Sequence, residues 1–412
     1  MTTSQRAVRR LFSSRLLLAA LVLNISLGVS YVGFWIMAAR QDLFWRADFS
    51  AFYTGWSIIR DGEGGQLYDP ELQSEYQRQI LDGRSFEDGL LPYVNPPHLT
   101  LPFVPLSLLP RSTAFLVWTL GQAALLIWLL RLLYGMVRSW EPQERWLLLS
   151  AVIAFSPLMV TFLIGAFSLW VTVCLLQFYL ALKRGDERRA GLWLVLGSVK
   201  PQAVLLLVVL LLAARRWRAL LSALFIGSIL AMFSIAGLGW QIWGDYFRLL
   251  RSHTGLFDAF GVVPTDMHNF KGTLALMLGN DQSRLINLLS YTALITAAAL
   301  TLWLWRNRWQ PDHPSFELRM ALTMLLGLLF SVHLNPQDSL MLIVPTTLFY
   351  AYLRQRHLPR RAFAALALSC PVLFFVSEST LGGSLGIRIP VVVMIVLLGW
   401  MIRALLHSRL DH

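Results

Sequence analysis

The sequence predicts an all-α, multi-pass transmembrane helix bundle of about ten spans plus one broken-helix hairpin. Three observations carry this. Of 412 residues, 56% are hydrophobic and 14% charged, whereas a soluble domain is about 45–50% apolar and about 25% charged. The apolar residues recur in blocks long enough to cross a hydrocarbon core of about 30 Å. The net charge of +12 comes largely from arginines in short loops between those blocks, where positive charge orients a membrane protein. A soluble enzyme is excluded, and the dispersal of the basic residues excludes nucleic acid as a partner. The whole chain, 1–412, reads as one integral membrane domain.

The first element is an apolar run from Leu16 to Met37 behind Arg6, Arg9, Arg10 and Arg15. It is longer than a signal-peptide core and no small-residue cleavage site follows, so it reads as a retained anchor with a cytoplasmic N-terminus. Further apolar blocks lie near 111–136, 146–164, 166–182, 189–214, 217–237, 284–305, 317–333, 338–353, 362–378 and 389–407. The 189–214 block is interrupted at Lys200-Pro201, because proline removes a helix donor and restrains the residue before it. Each half is too short to span, so the block is expected to turn back as a hairpin. That choice places Arg138/Arg145, Lys183/Arg184/Arg188/Arg189, Arg215/Arg216/Arg218, Arg306/Arg308 and Arg354/Arg356/Arg360/Arg361 on the cytoplasmic side with the N-terminus; a straight span would send the later clusters outside, against the positive-inside rule. His98–Pro110, with Pro102 and Pro105, is expected to be re-entrant or interfacial. Cys174 and Cys370 both fall in apolar blocks, so no disulfide is expected.

The polar groups concentrate on the extracytoplasmic side. The first external loop, 39–97, is the longest, with ten acidic residues against five arginines. Within it Asp48 opens a segment in which Phe52, Trp56 and Ile59 share one face, which predicts an amphipathic helix at the membrane surface. Asp69-Pro70 marks the start of a second. Asp48 could be a helix cap or a carboxylate beside an apolar wall, with a raised pKa suited to general-base work. A second external segment, 238–283, opens with Trp240, Trp243, Phe247 and Leu250 at the spacing of an interfacial helix.

Other candidates follow from charge and position. Lys200, one of three lysines, sits at the break in a membrane block, where an ionisable residue is costly and marks a functional site unless it merely snorkels to the interface. Asp266–Lys271 gathers His268 and Lys271 before an apolar helix beginning near Gly272, a ready place for an anion. His98, after two prolines, could orient a substrate or cap the next segment. The turn from His333 to Asp338 is a comparable polar cluster. No zinc pattern, Walker loop, dinucleotide fingerprint or nucleophile elbow is present, so no metal-binding residues are singled out, no cofactor is expected and a soluble nucleotide-sugar has no visible site.

The string ADFSAFYTGWSIIRDGEGGQLYDP resembles the first-loop signature of glycosyltransferase family 87, which includes polyprenyl-phosphate-mannose-dependent α-mannosyltransferases of bacteria. NPPHLTLPFVPLSLLP resembles that family's return segment, and LWLVLGSVKPQAVLLLVVLLLAARRWRAL its Gly…Lys-Pro-Gln block; HNFKGTLALML and FSVHLNPQDSLMLIVP are looser matches. The similarity runs over about residues 45–350. It departs at Gly165-Ala166, where the family often has Gly-Gln. The resemblance implies a GT-C architecture and an inverting transfer of sugar, most simply mannose, from a polyprenyl-phosphate donor to a lipid or glycan acceptor outside a bacterial cell membrane. In that frame Asp48 is the general base. Charge and topology then make Lys200, His268 and Lys271 the candidates for the lipid phosphate, with His98, His333 and Asp338 behind them. A pentosyl donor, a flippase of lipid-linked substrates and an inactive assembly factor are the alternatives.

Overall fold

Lys200-Pro201 does break the helix it interrupts. The computed structural model describes residues 3–41, 43–46, 48–84, 90–259, 264–306, 309–356, 374 and 388–410. All regular structure among the described residues is helical. The helices are α1 (Thr3–Arg40), α2 (Asp48–Arg60), α3 (Pro70–Ile80), α4 (Arg111–Met136), α5 (Pro142–Ile153), α6 (Ser156–Ile164), α7 (Ser168–Lys183), α8 (Glu187–Gly197), α9 (Pro201–Ala213), α10 (Trp217–Leu238), α11 (Gln241–Ala259), α12 (Phe270–Leu278), α13 (Ser283–Trp305), α14 (Ser315–Leu329), α15 (Ile343–Gln355) and α16 (Ile389–Leu410).

Among the described residues, six helical stretches are long and apolar enough to cross a membrane: Leu18–Arg40, Arg111–Met136, Pro142–Ile164, Trp217–Leu238, Ser283–Trp305 and Ile389–His407. The blocks near 166–182, 317–333 and 338–353 instead give α7, α14 and α15, of 16, 15 and 13 residues. At 1.5 Å per residue these reach only about 20–24 Å. α14 is buried along its whole length, which is the situation of an interior helix. The block at 362–378 lies outside the described residues except for Phe374, and Cys370 lies outside them too. Cys174 is a buried free thiol.

The halves α8 and α9 are about 17 and 20 Å long and fold back on each other. Arg216, just beyond α9, donates to Glu187 at the start of α8, so both outer ends of the block lie together and Lys200 stands at the apex. α7 is tied at each end to the chain around α14. Lys183, its last residue, donates to Glu317 of α14 at 2.6 Å, and Ser168, its first, donates to Asp338 beyond α14 at 2.6 Å.

α2 differs from the surface helix its pattern predicts. Every residue from Phe49 to Ile58 is buried. Phe49, Phe52 and Trp56 pack on Phe115, Phe167 and Trp118 with ring centroids 5.1, 5.0 and 5.6 Å apart. The remaining positions are small or hydroxyl-bearing, and such residues can also be buried: Gly55 lies under the Tyr93 ring, and the Thr54 hydroxyl satisfies itself on the Ser50 carbonyl at 2.8 Å. α3 starts as expected, with Asp69 accepting from the Glu71 and Leu72 amides at 2.9 and 3.0 Å and Pro70 at the first position. Its buried Gln73 and Gln77 take the amides of Tyr93 and Leu91 at 2.7 and 2.9 Å, which fixes the strandless return of the first loop. That return enters two 3-10 turns, Pro97–Leu99 and Leu101–Leu108. α11 buries Ile242, Tyr246 and Leu249 and exposes Phe247 and Leu250, with Trp240 exposed just before it.

Candidate active site

The first residue of α2, the apex of the α8–α9 break and a 3-10 turn, Pro336–Leu342, meet at one place. The turn forms because Pro336 follows Asn335, whose side chain and that of Asp338 cap each other's backbone in a capping box. It delivers Gln337 and Asp338 inward, 4% and 0% exposed. Asp338 accepts from the Ser168 hydroxyl at 2.6 Å, from the Lys200 ammonium and from the Asn335 amide at 3.3 Å. The Gln337 side-chain amide donates to Asp48 Oδ2 at 3.4 Å.

The two carboxylates therefore have different surroundings. Burial raises the Asp48 carboxyl to about 6, with Lys200 pulling it down and Asp338 pushing it up. Burial also pushes Asp338 up, but the charge and hydrogen bond of Lys200, the Ser168 hydroxyl and His333 together hold it below the ordinary carboxylate value. One acid is thus locked as an anion and its neighbour is poised near neutrality, the kind of separation that distinguishes a structural carboxylate from one able to move a proton. Lys200 itself remains 16% exposed along its side chain, so the ion pair is closed on the Asp338 side and open on the other.

His268 lies beside this cluster. Its amide donates to the Leu334 carbonyl at 2.8 Å and its Nδ1 is 3.3 Å from the Ser339 hydroxyl. Burial, reinforced by Arg388 and opposed by Asp338, lowers its pKa to about 3, so it is a neutral imidazole and offers a phosphate a hydrogen bond but no charge. Asn269 accepts from the Gly272 amide at 2.9 Å and so caps α12 itself. Lys271 is half-buried in the first turn of that helix. His333 is half-buried in the turn before Asp338 and acts on its charge.

The sequence-predicted candidates Asp48, Lys200, Asp338, His333 and His268 are thus brought into one neighbourhood, with Lys271 on the adjoining helix. His98 is placed elsewhere. Its ring stacks on Trp243 of α11 at 5.8 Å and 8°, and burial lowers its pKa to about 4. Three residues of the site carried no sequence signal strong enough to single them out. Gln337 and Ser168 are ordinary polar residues until the fold brings them to Asp48 and Asp338. Arg388, which donates to the Thr265 carbonyl at 2.8 Å and to Asp266 at 2.8 Å, stands alone before the last apolar block. The Gly165-Ala166 departure is close by. Gly165 has φ +71° and accepts at its carbonyl from Trp118 Nε1 at 2.8 Å, and Ala166 is buried two residues before Ser168.

Among the described residues no group of three or more His, Cys, Asp or Glu side chains could hold a metal ion. What the arrangement offers is a proton acceptor at the head of a buried helix with a cation beside it. No curated protein and no solved structure shows a match to the chain. Residues 93–332 match the family profile of glycosyltransferase family 87. That match takes in more than half of the 412 residues, including the broken helix with Lys200 and the His268–Lys271 segment, and the chain belongs to glycosyltransferase family 87.

Proposed function

We propose that this membrane glycosyltransferase moves a sugar, most simply mannose, from a polyprenyl-phosphate donor to a lipid or glycan acceptor on the extracytoplasmic face of a bacterial membrane. The observation that carries the reading is Asp48: an acid raised to about 6, with the Lys200 ammonium acting on it and, among the described residues, no ion pair of its own. Asp48 takes the proton of the acceptor hydroxyl as its oxygen attacks the anomeric carbon from the face opposite the leaving lipid phosphate, so the anomeric centre inverts. Lys200 stands where negative charge develops on the departing phosphate. His268 supplies a neutral hydrogen bond, and Lys271 and Arg388 are further cations in the same region. The topology that goes with this reading has the N-terminus cytoplasmic and about ten spans, with the α8–α9 hairpin raising Lys200 to the outer side.

The donor lipid lies in the bilayer while its phosphate reaches the site. The exposed Phe247 of α11, with Trp240 just before the helix, suits a helix seated at that interface. A pentosyl donor is the second reading, favoured by Ala166, which lies two residues before Ser168 and stands where the family pattern that the sequence resembles has glutamine.

Transfer of radiolabelled mannose from polyprenyl-phosphate mannose to endogenous acceptors, in membranes holding equal amounts of wild type or Asp48→Asn, tests the proposal. Transfer by the wild type alone supports the class, the donor and the base. Transfer by both removes Asp48 as base. No transfer by either, with transfer from the pentosyl donor, replaces mannose by the pentose.

A further inference from the structure

Asp338 is the one carboxylate of the site that a substrate does not reach. It is 0% exposed, and its oxygens are occupied by the Ser168 hydroxyl, the Lys200 ammonium and the Asn335 amide. As a locked anion it repels a phosphate, and with no exposed surface it offers no oxygen to a sugar hydroxyl. Its position does something else. It joins three separate elements, the start of α7, the break between α8 and α9 and the 336–342 turn, and two of the groups it holds are those that touch or face Asp48. Lys200 is held directly. Gln337, the adjacent residue, donates to Asp48 Oδ2 at 3.4 Å.

We propose that Asp338 is a positioning residue for the transfer reaction, anchoring Lys200 and the turn that carries Gln337 and so fixing both the orientation and the electrostatic surroundings of the Asp48 carboxylate. The proposal rests on Asp48 acting as the base. Among the described residues, two charges act on Asp48, Lys200 from the helix break and Asp338 from the turn. His333 acts on Asp338. Of the other elements packed on α2, α4 contributes Arg111, which acts with Arg60 and Asp61 on Tyr53 further along the helix. α3 contributes Glu71, Glu75 and Arg78, none of which is among the groups acting on Asp48.

The sign of the expected change follows. Replacing Asp338 by asparagine removes a negative charge next to Asp48 and leaves the positive charge of Lys200 uncompensated, and both changes favour the ionised form of Asp48. Removing the Gln337 donor does the opposite, because a hydrogen bond to a carboxylate stabilises its charged form.

The experiment follows the ionisation of Asp48 directly, by pH-dependent infrared difference spectra of the purified protein in detergent, using the protonated-carboxyl band that Asp48→Asn removes. The wild-type midpoint is expected at about 6. With Asp338→Asn the midpoint is expected to fall by about one unit, within the range that a neighbouring charge commands; Asp338→Glu, which keeps the charge, returns it toward the wild type. Gln337→Leu, which leaves the ion pair intact, moves it upward. A residue that only held the fold would lower the melting temperature and leave the midpoint in place, and that result in Asp338→Asn overturns the proposal. If Asp338→Asn does not fold, Gln337→Leu decides: a midpoint that stays or falls overturns it. The base assignment fails separately, through sugar transfer that survives Asp48→Asn, whatever the midpoints do.

Discussion

Arg216 donates to Glu187 across twenty-eight intervening residues, and that contact closes the hairpin on which Lys200 stands. Neither α8 nor α9 can settle as an independent span, so their outer ends need a tie. The two side chains are 26% and 12% exposed, between the surface pairs that contribute almost nothing and the buried ones that matter most. Arg216 also lies over the Trp309 ring, 4.6 Å from its centroid, which adds a second hold on the same guanidinium. Glu187→Gln is expected to lower stability by about 1–2 kcal/mol, read as a lower melting temperature in detergent. The charge-swapped double variant, Glu187→Arg with Arg216→Glu, recovers part of it. An unchanged melting temperature in Glu187→Gln would show that the hairpin closes without this pair.

Asp48 ties activity and stability to pH in opposite directions. Its folded-state pKa of about 6 lies above the ordinary 3.8. Below the ordinary value it is protonated in both folded and unfolded chains, and its contribution to stability is fully present. As pH rises from about 4 to about 6 the unfolded chain loses this proton first, so the folded state loses stability across that window and holds level above it. The base form grows over the upper part of the same window. kcat/KM for sugar transfer is therefore expected to climb with unit slope to a plateau above pH 6, while the Asp48 contribution to stability declines. Asp48→Asn at pH 7 is expected to lose about 10²–10⁴-fold in transfer with a melting temperature no lower than the wild type. A pH–rate profile flat from 5 to 8 would remove Asp48 from the proton transfer.

Lys200 is legible in the sequence because a lone lysine before proline in an apolar block costs too much to be incidental. The acid that holds it is not legible as such. Asp338 lies 138 residues away, and neither periodicity nor composition reports a contact at that distance. The turn containing it reads as polar and interesting, but nothing in its local pattern says that Gln337 faces Asp48 and Asp338 faces Lys200. α2 shows the opposite difficulty. Its Phe52/Trp56 stripe is real, yet the serines, threonine and glycine between are small enough to be buried too, so a one-sided pattern conceals a helix enclosed on all sides. The cluster at His268 is found by sequence and its charge is not, because neutrality there follows from burial and from Arg388, 120 residues later.

The Lys200–Asp338 pair makes a prediction about stability that separates its two halves. Asp338 is 0% exposed, so removing the ammonium leaves an anion in an environment that cannot hydrate it. Lys200→Met is expected to cost about 3–5 kcal/mol, the usual result of breaking a buried pair from one side. Adding Asp338→Leu removes the orphan and is expected to restore most of the loss, since a buried ion pair exchanged for apolar residues of similar size is often neutral. Melting temperatures in detergent of the single and the double variant check this. A single variant as stable as the wild type would mean that Ser168 and the Asn335 amide hold the charge alone.

Gly165 couples the departure from the family pattern to the helix that carries Asp48. Its φ of +71° is a left-handed conformation that costs a side-chain-bearing residue about 1–2 kcal/mol. The space is also taken: a Cβ there would lie 3.0 Å from Phe49 Cβ and 3.1 Å from Phe115 Cε2. Phe49 is the residue next to Asp48 and is 0% exposed, so it can give way only by moving the start of α2. Gly165→Ala is therefore expected to lower the melting temperature and also to lower kcat, because any shift of α2 withdraws the Asp48 carboxylate from the Gln337 amide. Ala166→Gln, one residue on, does not add a Cβ to that contact and tests the neighbouring position separately. A Gly165→Ala variant that melts lower but turns over at the wild-type rate would show that α2 absorbs the displacement beyond Asp48, and would detach this turn from the site.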